Sequence, residues 1–347
     1  MVAQEEGAGS YSRPVTIREV AAAAGVSVTT VSHVLNGTVD KPVRDSTRLQ
    51  VVAAAEQLRY EPNRLARGLR TRRSGLIGLL IENVGCSRYG GRLIEGAQRA
   101  AHDEGYTLMV ASSPGGGLAR DDAFRALREN HVEGIIFAPL MLAQGDPSSD
   151  WRRSPLVLID QTDAAQVLTS ISADEYLAMR RLTRLTIAKG HRRIAFLAAW
   201  GDTSAIYRRR AAVTDEIQLD TEVALHTEAA EPTADGGYRA AFRALRSPSR
   251  PTVLLCYNDL MAAGAYRAGA EMGLGIPQDV SVVGFGDEAA LGESLQPPLT
   301  TVGLPHTEMG AAAVHAILAV IEDRATTTAA VECPIIVRDS LGPPCPA

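Results

Sequence analysis

The chain has 347 residues, more than one typical hydrophobic core accommodates, which predicts a small domain joined to a larger two-lobed domain. Hydrophobic residues make up 46% and charged ones 22%; with no apolar run near the ~18 residues that a bilayer span needs, the composition reads as soluble and globular, with no membrane partner. The net charge of −5 hides an asymmetry: Arg13 to Arg73 carries 11 basic and 5 acidic residues (net +6), whereas Ser74 onward carries 24 and 33 (net −9). A basic head on an acidic body suits a nucleic-acid-binding module attached to a sensor, and equally a merely solvated basic face.

Residues Met1 to Ser12 include Glu5 and Glu6 and have no basic stretch followed by an apolar core, so no signal peptide is expected and a cytoplasmic location is. Cys86, Cys256, Cys333 and Cys345 lack C-x-x-C spacing. They read as reduced structural thiols, with no metal or other cofactor implied.

The first element begins at Thr16-Ile17-Arg18-Glu19, which fits a capping box. Ile17, Val20, Ala21 and Ala24 follow at helical spacing, and Gly25 supplies the left-handed residue that ends the helix. A second helix starts at once, capped by Ser27, with Val28, Val31, Val34 and Leu35 expected inward and Thr29, Thr30, Ser32, His33 and Asn36 outward. Two short helices around a tight glycine turn, the second showing short polar groups, match the geometry that enters a major groove. A third helix, about Asp45 to Arg59, is expected to close the core with Val51, Val52, Ala55 and Leu58, and to be ended by Tyr60 and Pro62. Pro62-Asn63-Arg64-Leu65-Ala66-Arg67-Gly68-Leu69-Arg70 then reads either as an ordinary linker or as a basic hinge that orders on DNA, with Leu69 as a minor-groove wedge between phosphate-holding arginines.

Three runs carry a resemblance: Val15-Thr16-Ile17-Arg18-Glu19-Val20-Ala21, Ala24-Gly25-Val26-Ser27, and Thr30-Val31-Ser32-His33-Val34-Leu35-Asn36-Gly37. Together with Tyr60-x-Pro62-Asn63-x-Leu65-Ala66-Arg67-x-Leu69-Arg70 and Val337-Arg338-Asp339-Ser340, they resemble the lactose/galactose repressor (LacI/GalR) family over nearly the whole chain. The resemblance implies a dimeric repressor of palindromic operator DNA, modulated by a small molecule such as a sugar. It implies DNA contacts from Thr16, Ser27, Val28, Thr29, Thr30, Ser32, His33 and Asn36, and from Asn63, Arg67, Leu69 and Arg70 in the hinge. Arg44 stands where the family has a serine cap for the third helix, leaving Asp45 as a candidate replacement.

From Leu76 onward, apolar strand-like runs alternate with helical patterns: Leu76 to Ile81, Thr107 to Ala111, Gly134 to Ala138, Leu156 to Ile159, Arg193 to Ala198 and Val253 to Cys256. Continuous apolar runs predict strands covered on both faces, hence an α/β body of doubly wound parallel sheets. The resemblance adds two lobes similar to periplasmic binding proteins, three crossovers and a ligand cleft. Ligands of such sheets lie at strand carboxyl ends. Candidate effector contacts are Asp160, Asn258 and Asp287 at those ends, Arg208 on the helix after Trp200 to Ser204, and Tyr89. For Asp160 a helix cap or loop bond is an equal alternative. Three stretches depart from the family: Ser87-Arg88-Tyr89-Gly90 lacks one aromatic, Gly284-Phe285-Gly286-Asp287 lacks the first of two aspartates, and Gly201-Asp202-Thr203-Ser204, in the stretch that often lines the pocket, has a spacing that does not identify a sugar.

The expected domains are a helix-turn-helix over 14–62, a hinge over 63–74 and an effector-binding, dimerising body over 75–347. An enzyme is the first rival, yet the phosphate-loop, nucleophile-elbow and zinc-helix motifs are missing, and His191 at a strand start reads as structural. A free-standing solute-binding protein is the second, opposed by the basic head. With no heptad extension before Ala347, a tetramer-forming coiled coil is not expected.

Overall fold

The computed structural model describes residues 13, 15–35, 43–60, 73–82, 89–114, 117–139, 150–161, 167–288 and 291–345. The chain divides into two compact units, 1–75 and 76–347.

Among the described residues the first unit holds helices α1 (Ile17–Ala23), α2 (Val28–Leu35) and α3 (Asp45–Gln57). The capping box opens α1: the Glu19 carboxylate accepts the Thr16 N–H at 2.6 Å and the Thr16 hydroxyl at 2.7 Å. Gly25, at φ +62°, ends it, while the Gly25 and Val26 N–H groups return to the Ala22 and Ala21 carbonyls, a Schellman closure. The Ser27 hydroxyl accepts the Thr30 N–H at 3.0 Å and so caps α2. Val20, Ala21, Val31, Val34, Val51, Ala54 and Ala55 form the core.

Four expectations need correction here. Val28 points outward, 41% exposed, because at the first position of α2 it precedes the turn whose Val31 and Val34 face the core. Val52 is also exposed and Ala54 takes its place, since the buried stripe runs Val51, Ala54, Ala55 and half-buried Leu58. Arg44 is the N-cap of α3 without a side-chain bond, and Asp45 already lies inside the helix. Finally α3 stops at Gln57, ahead of Pro62, because Arg59 turns left-handed (φ 51°) and its N–H and that of Tyr60 close onto Glu56 and Ala55.

The second unit carries two parallel sheets. The described strands β1 (Leu76–Glu82), β2 (Thr107–Ser113), β3 (Gly134–Ala138), β4 (Leu156–Ile159), β5 (Thr169–Ala173) and β11 (Ala329–Val331) form the first, in order β11-β5-β4-β3-β1-β2. β6 (Arg193–Ala199), β7 (Ala224–Ala230), β8 (Val253–Cys256) and β9 (Ser281–Val283) form the second, in order β7-β6-β8-β9. The expected strands appear where their apolar runs lie, β3, β4 and β8 with the same bounds and β1, β2 and β6 one or two residues longer. β9 is short, with only three residues. Leu79 sits beside Val110 on one side and Ile136 on the other, fully buried, as expected for strands covered on both faces.

Helices α4 (Gly90–Asp103), α5 (Leu118–Glu129), α6 (Glu175–Ala188), α7 (Ser204–Ile217), α8 (Ala234–Leu245), α9 (Asp259–Glu271), α10 (Leu291–Ser294) and α11 (His306–Ile321) complete the unit. The chain crosses between lobes three times: after β5 toward α6, through β10 (Thr301–Val302) back to α11, which packs on α4 and on β3 to β5, and after β11 through β12 (Ile335–Ile336) to Ser340. There the Ser340 hydroxyl donates to the Val282 carbonyl at 2.6 Å. Because the first sheet is parallel and the chain departs after Ala173 and Val331, the carboxyl ends of its strands face the second lobe. The second sheet returns the geometry: past β9, Gly286 bridges to Gly303 and lies against Tyr89 of the first lobe. No helix among the described residues is long and apolar enough to cross a membrane.

Candidate functional site

Two places carry chemistry. The first is the outer face of α2. Ser27, Val28 and Thr29 are exposed, Thr16, Thr30, Ser32 and His33 are half-buried, and Val31 and Val34 are buried beneath them. The Ser27 and Thr30 hydroxyls share a hydrogen bond at 2.8 Å. This pairing orders two of the proposed DNA-contacting groups before any partner arrives. No acidic residue lies in the first turn of α2, the end at which helix N–H dipoles favour a negative partner. Asn36, Asn63, Arg67, Leu69 and Arg70 lie outside the described residues, and with them the hinge.

The second place is the cleft between the lobes. In each sheet the strand order reverses once, between β1 and β3 and between β6 and β8, and such switch points open crevices at the carboxyl ends. Asp160 follows β4 with φ 53°, its carboxylate accepting the Ala173 N–H at 3.2 Å. Asp160 as a residue is exposed, whereas its carboxylate turns toward the Ala173 backbone among surrounding protein; that crowding, followed by the nearby Glu175, pushes its pKa up to about 6. The charges of Arg208 and Arg209 act in the opposite direction, which places the start of α7 close to Asp160.

Arg208 is half-buried, and the buried arginine is the next residue. Arg209 forms a two-pronged bond to Glu175 at 2.8 and 3.2 Å, donates to the Tyr257 carbonyl at 2.7 Å, and lies 3.9 Å from the Phe285 ring centroid. The expectation passed over it, although periodicity marks it: the inward stripe of α7 runs Ile206, Arg209, Val213, Glu216 and Ile217.

Tyr89 stacks on His306 with centroids 4.6 Å apart, and its hydroxyl approaches Glu288 of the second lobe at 3.5 Å. Burial, then the negative charge of Glu288, holds the phenol protonated by raising its pKa. Burial lowers His306 to about 4, so the ring under Tyr89 is neutral near pH 7. A side chain at Gly286, the position of the missing family aspartate, would put its Cβ 2.9 Å from the Tyr89 hydroxyl. In this chain the Tyr89 hydroxyl, with the Asp259 carboxylate 3.7 Å from the same point, therefore takes up the space that such a side chain would fill.

The remaining candidates are held by their own elements. Asn258 caps α9: its Oδ1 accepts the Met261 N–H at 2.8 Å and its Nδ2 donates to the Pro232 carbonyl at 3.1 Å. Asp287, at φ 48°, accepts from Arg338 at 2.9 Å. Asp259, also passed over, is fully buried and accepts the Thr301 hydroxyl at 2.6 Å and the Glu288 N–H at 2.9 Å. No group of side chains suited to holding a metal ion occurs among the described residues.

Comparison with known proteins agrees with this architecture. Residues 16–63 match the model of bacterial regulatory proteins of the lacI family, and residues 183–341 that of a periplasmic binding protein-like domain. The chain is 31% identical to the HTH-type transcriptional repressor PurR of Vibrio vulnificus, over 94% of this chain and 98% of that one. It is 29% identical to the ribose operon repressor of Haemophilus influenzae, over 87% and 91%. Among solved structures it resembles the lac repressor dimer bound to operator and the anti-inducer ONPF (TM-score 0.79, 26% identity, 95% and 100% covered). It also resembles the complex of the transcriptional regulator CelR with cellobiose (TM-score 0.63, 25% identity, 94% and 100% covered). The chain therefore belongs to the LacI family of bacterial regulatory proteins.

Proposed function

We propose that this chain is a cytoplasmic repressor that binds a palindromic operator as a homodimer and whose grip on DNA is set by a small molecule in the interlobe cleft. The observation that carries the reading is the α2 face: exposed Ser27, Val28 and Thr29 beside half-buried Thr30, Ser32 and His33, all fixed over a packed core. Short hydroxyl, methyl and imidazole groups on a preformed helix reach base edges in a major groove. In this reading Thr16 and Asn36 border that face, while Asn63, Arg67, Leu69 and Arg70 of the paired hinges open the central minor groove between two half-sites. The relatives support a repressor, and the lac repressor structure is of a dimer on operator with an anti-inducer.

For the body, the reading places the effector among Tyr89, Asp160, Arg208, Asn258 and Asp287, with Arg209 beneath them. The cellobiose in the CelR complex supports a sugar or related metabolite. Closure of the lobes on the effector alters hinge alignment, a coupling of typically about 1–3 kcal/mol. The expected domains, 14–62, 63–74 and 75–347, belong to the same proposal.

The test is titration of the purified full chain onto fluorescent DNA from its own upstream region. Tight binding to a palindrome, weakening steeply with added salt, is expected. Exchanging Val28 and Thr29 should change which palindrome is preferred. Failure to bind any palindrome overturns the reading.

A further inference from the structure

Tyr89 runs from one lobe to the other, and what it touches at each end is held in place. At its base it is the N-cap of α4 in the first lobe. Its ring stacks on that of His306, the first residue of α11, with centroids 4.6 Å and planes 13° apart. The two helices pack so closely that a Cβ at Gly96 or Gly310 would fall on backbone of the opposite helix. The phenol therefore leaves the first lobe from a rigid base and in one direction.

Its hydroxyl ends at the loop after β9 in the second lobe. Gly286 stands there at φ +135°, a backbone conformation that glycine takes readily, and any side chain on it would meet the phenol oxygen. The glycine is thus what lets ring and loop approach. Two residues on, the buried Glu288 accepts the Tyr89 hydroxyl at 3.5 Å, a long hydrogen bond. The loop is itself tied down: the Gly286 N–H donates to the Val302 carbonyl at 2.7 Å, and the Glu288 N–H to the Asp259 carboxylate at 2.9 Å. Asp259 in turn holds the Thr301 hydroxyl at 2.6 Å. A ring fixed on one lobe meets a carboxylate fixed on the other, and because both belong to the chain, the contact needs no effector to form. We propose that Tyr89 is an interlobe latch: by bonding to Glu288 over Gly286 it holds the lobes in one register, and so sets the operator affinity that the chain has before any effector arrives. The second half of the proposal rests on the repressor reading. A molecule entering the cleft then acts on a contact already made, and shifts it only by its differential affinity for the latched and unlatched forms.

The test is a double-mutant cycle on the full chain. Its four proteins are wild type, Tyr89→Phe, which keeps the stacked ring and removes the hydroxyl, Glu288→Ala, which removes the acceptor, and the two changes together. Urea unfolding reads the contact, and titration of the operator palindrome without effector reads its consequence. Each single variant should unfold at lower urea than wild type, and the double variant should fall short of the sum of the two shifts. Each single variant should also change operator affinity by about threefold or more, both in the same direction, with no further change in the double variant. Additive urea shifts, or single variants that unfold no earlier than wild type, would mean that the two side chains do not bond, and overturn the latch. Coupled urea shifts with operator affinities that match wild type, or that move in opposite directions, overturn its control of DNA binding. If wild type binds no palindrome, the repressor reading fails, and the urea cycle still decides by itself whether the lobes are latched.

Discussion

Asp160 shows how one side chain records its surroundings. Folding raises its pKa from the ordinary 3.8 to about 6, so the folded chain holds this proton more tightly than the unfolded one. Ionising it therefore costs stability progressively as pH climbs from about 4 through about 6, and the cost persists above. Asp160→Asn should melt at a higher temperature than the parent at about pH 7.5, with the gap closing below about pH 4, which thermal denaturation across pH would read. A gap independent of pH would mean that the ionised carboxylate is not under strain. The same substitution should weaken effector binding, because a carboxylate that resists ionisation while facing solvent is poised to accept a ligand hydroxyl.

At the scale of the element, α2 depends on one cap. Ser27→Ala should cost about 1 kcal/mol of stability by leaving the Thr30 N–H without its acceptor, whereas Ser27→Gly should cost only a few tenths. If Ser27 also touches DNA, both variants lose operator affinity in a binding titration; full affinity in Ser27→Gly would leave the residue a cap only. The α4–α11 pair depends on missing side chains. A Cβ at Gly310 would overlap the Leu93 carbonyl of α4, and one at Gly96 would overlap the Thr307 carbonyl of α11. Gly310→Ala should therefore destabilise the body by about 1–3 kcal/mol, seen as a lower unfolding midpoint, because two backbones must separate. An unchanged midpoint would show that the helices shift freely.

At the scale of the whole molecule, a basic head of net +6 and a body of net −9 divide the labour: one attracts phosphates, the other does not compete for them. In the proposed reading, coupling between them passes through residues 63–74, the expected hinge. Leu69→Ala should weaken operator binding by at least about tenfold while leaving effector affinity unchanged, measured by DNA titration and calorimetry on the same protein. Equal operator affinity would remove the wedge from the mechanism.

Local signals were enough wherever the physics is local. Thr16 and Glu19, Gly25 and Ser27 announce helix ends because caps act over three or four residues, and uninterrupted apolar runs such as Gly134 to Ala138 announce strands buried on both faces. Family and general role followed from long motifs around α2 and the hinge. Tertiary structure alone decided which of Arg208 and Arg209 is buried against Glu175, that Asn258 and Asp287 are partly occupied by Pro232 and Arg338, and that Tyr89 reaches Glu288 across the lobes. It also turned Val28 outward and set Trp200 in the open. Those outcomes depend on partners tens to hundreds of residues away, and a side chain's burial, charge state and free lone pairs exist only once those partners have arrived.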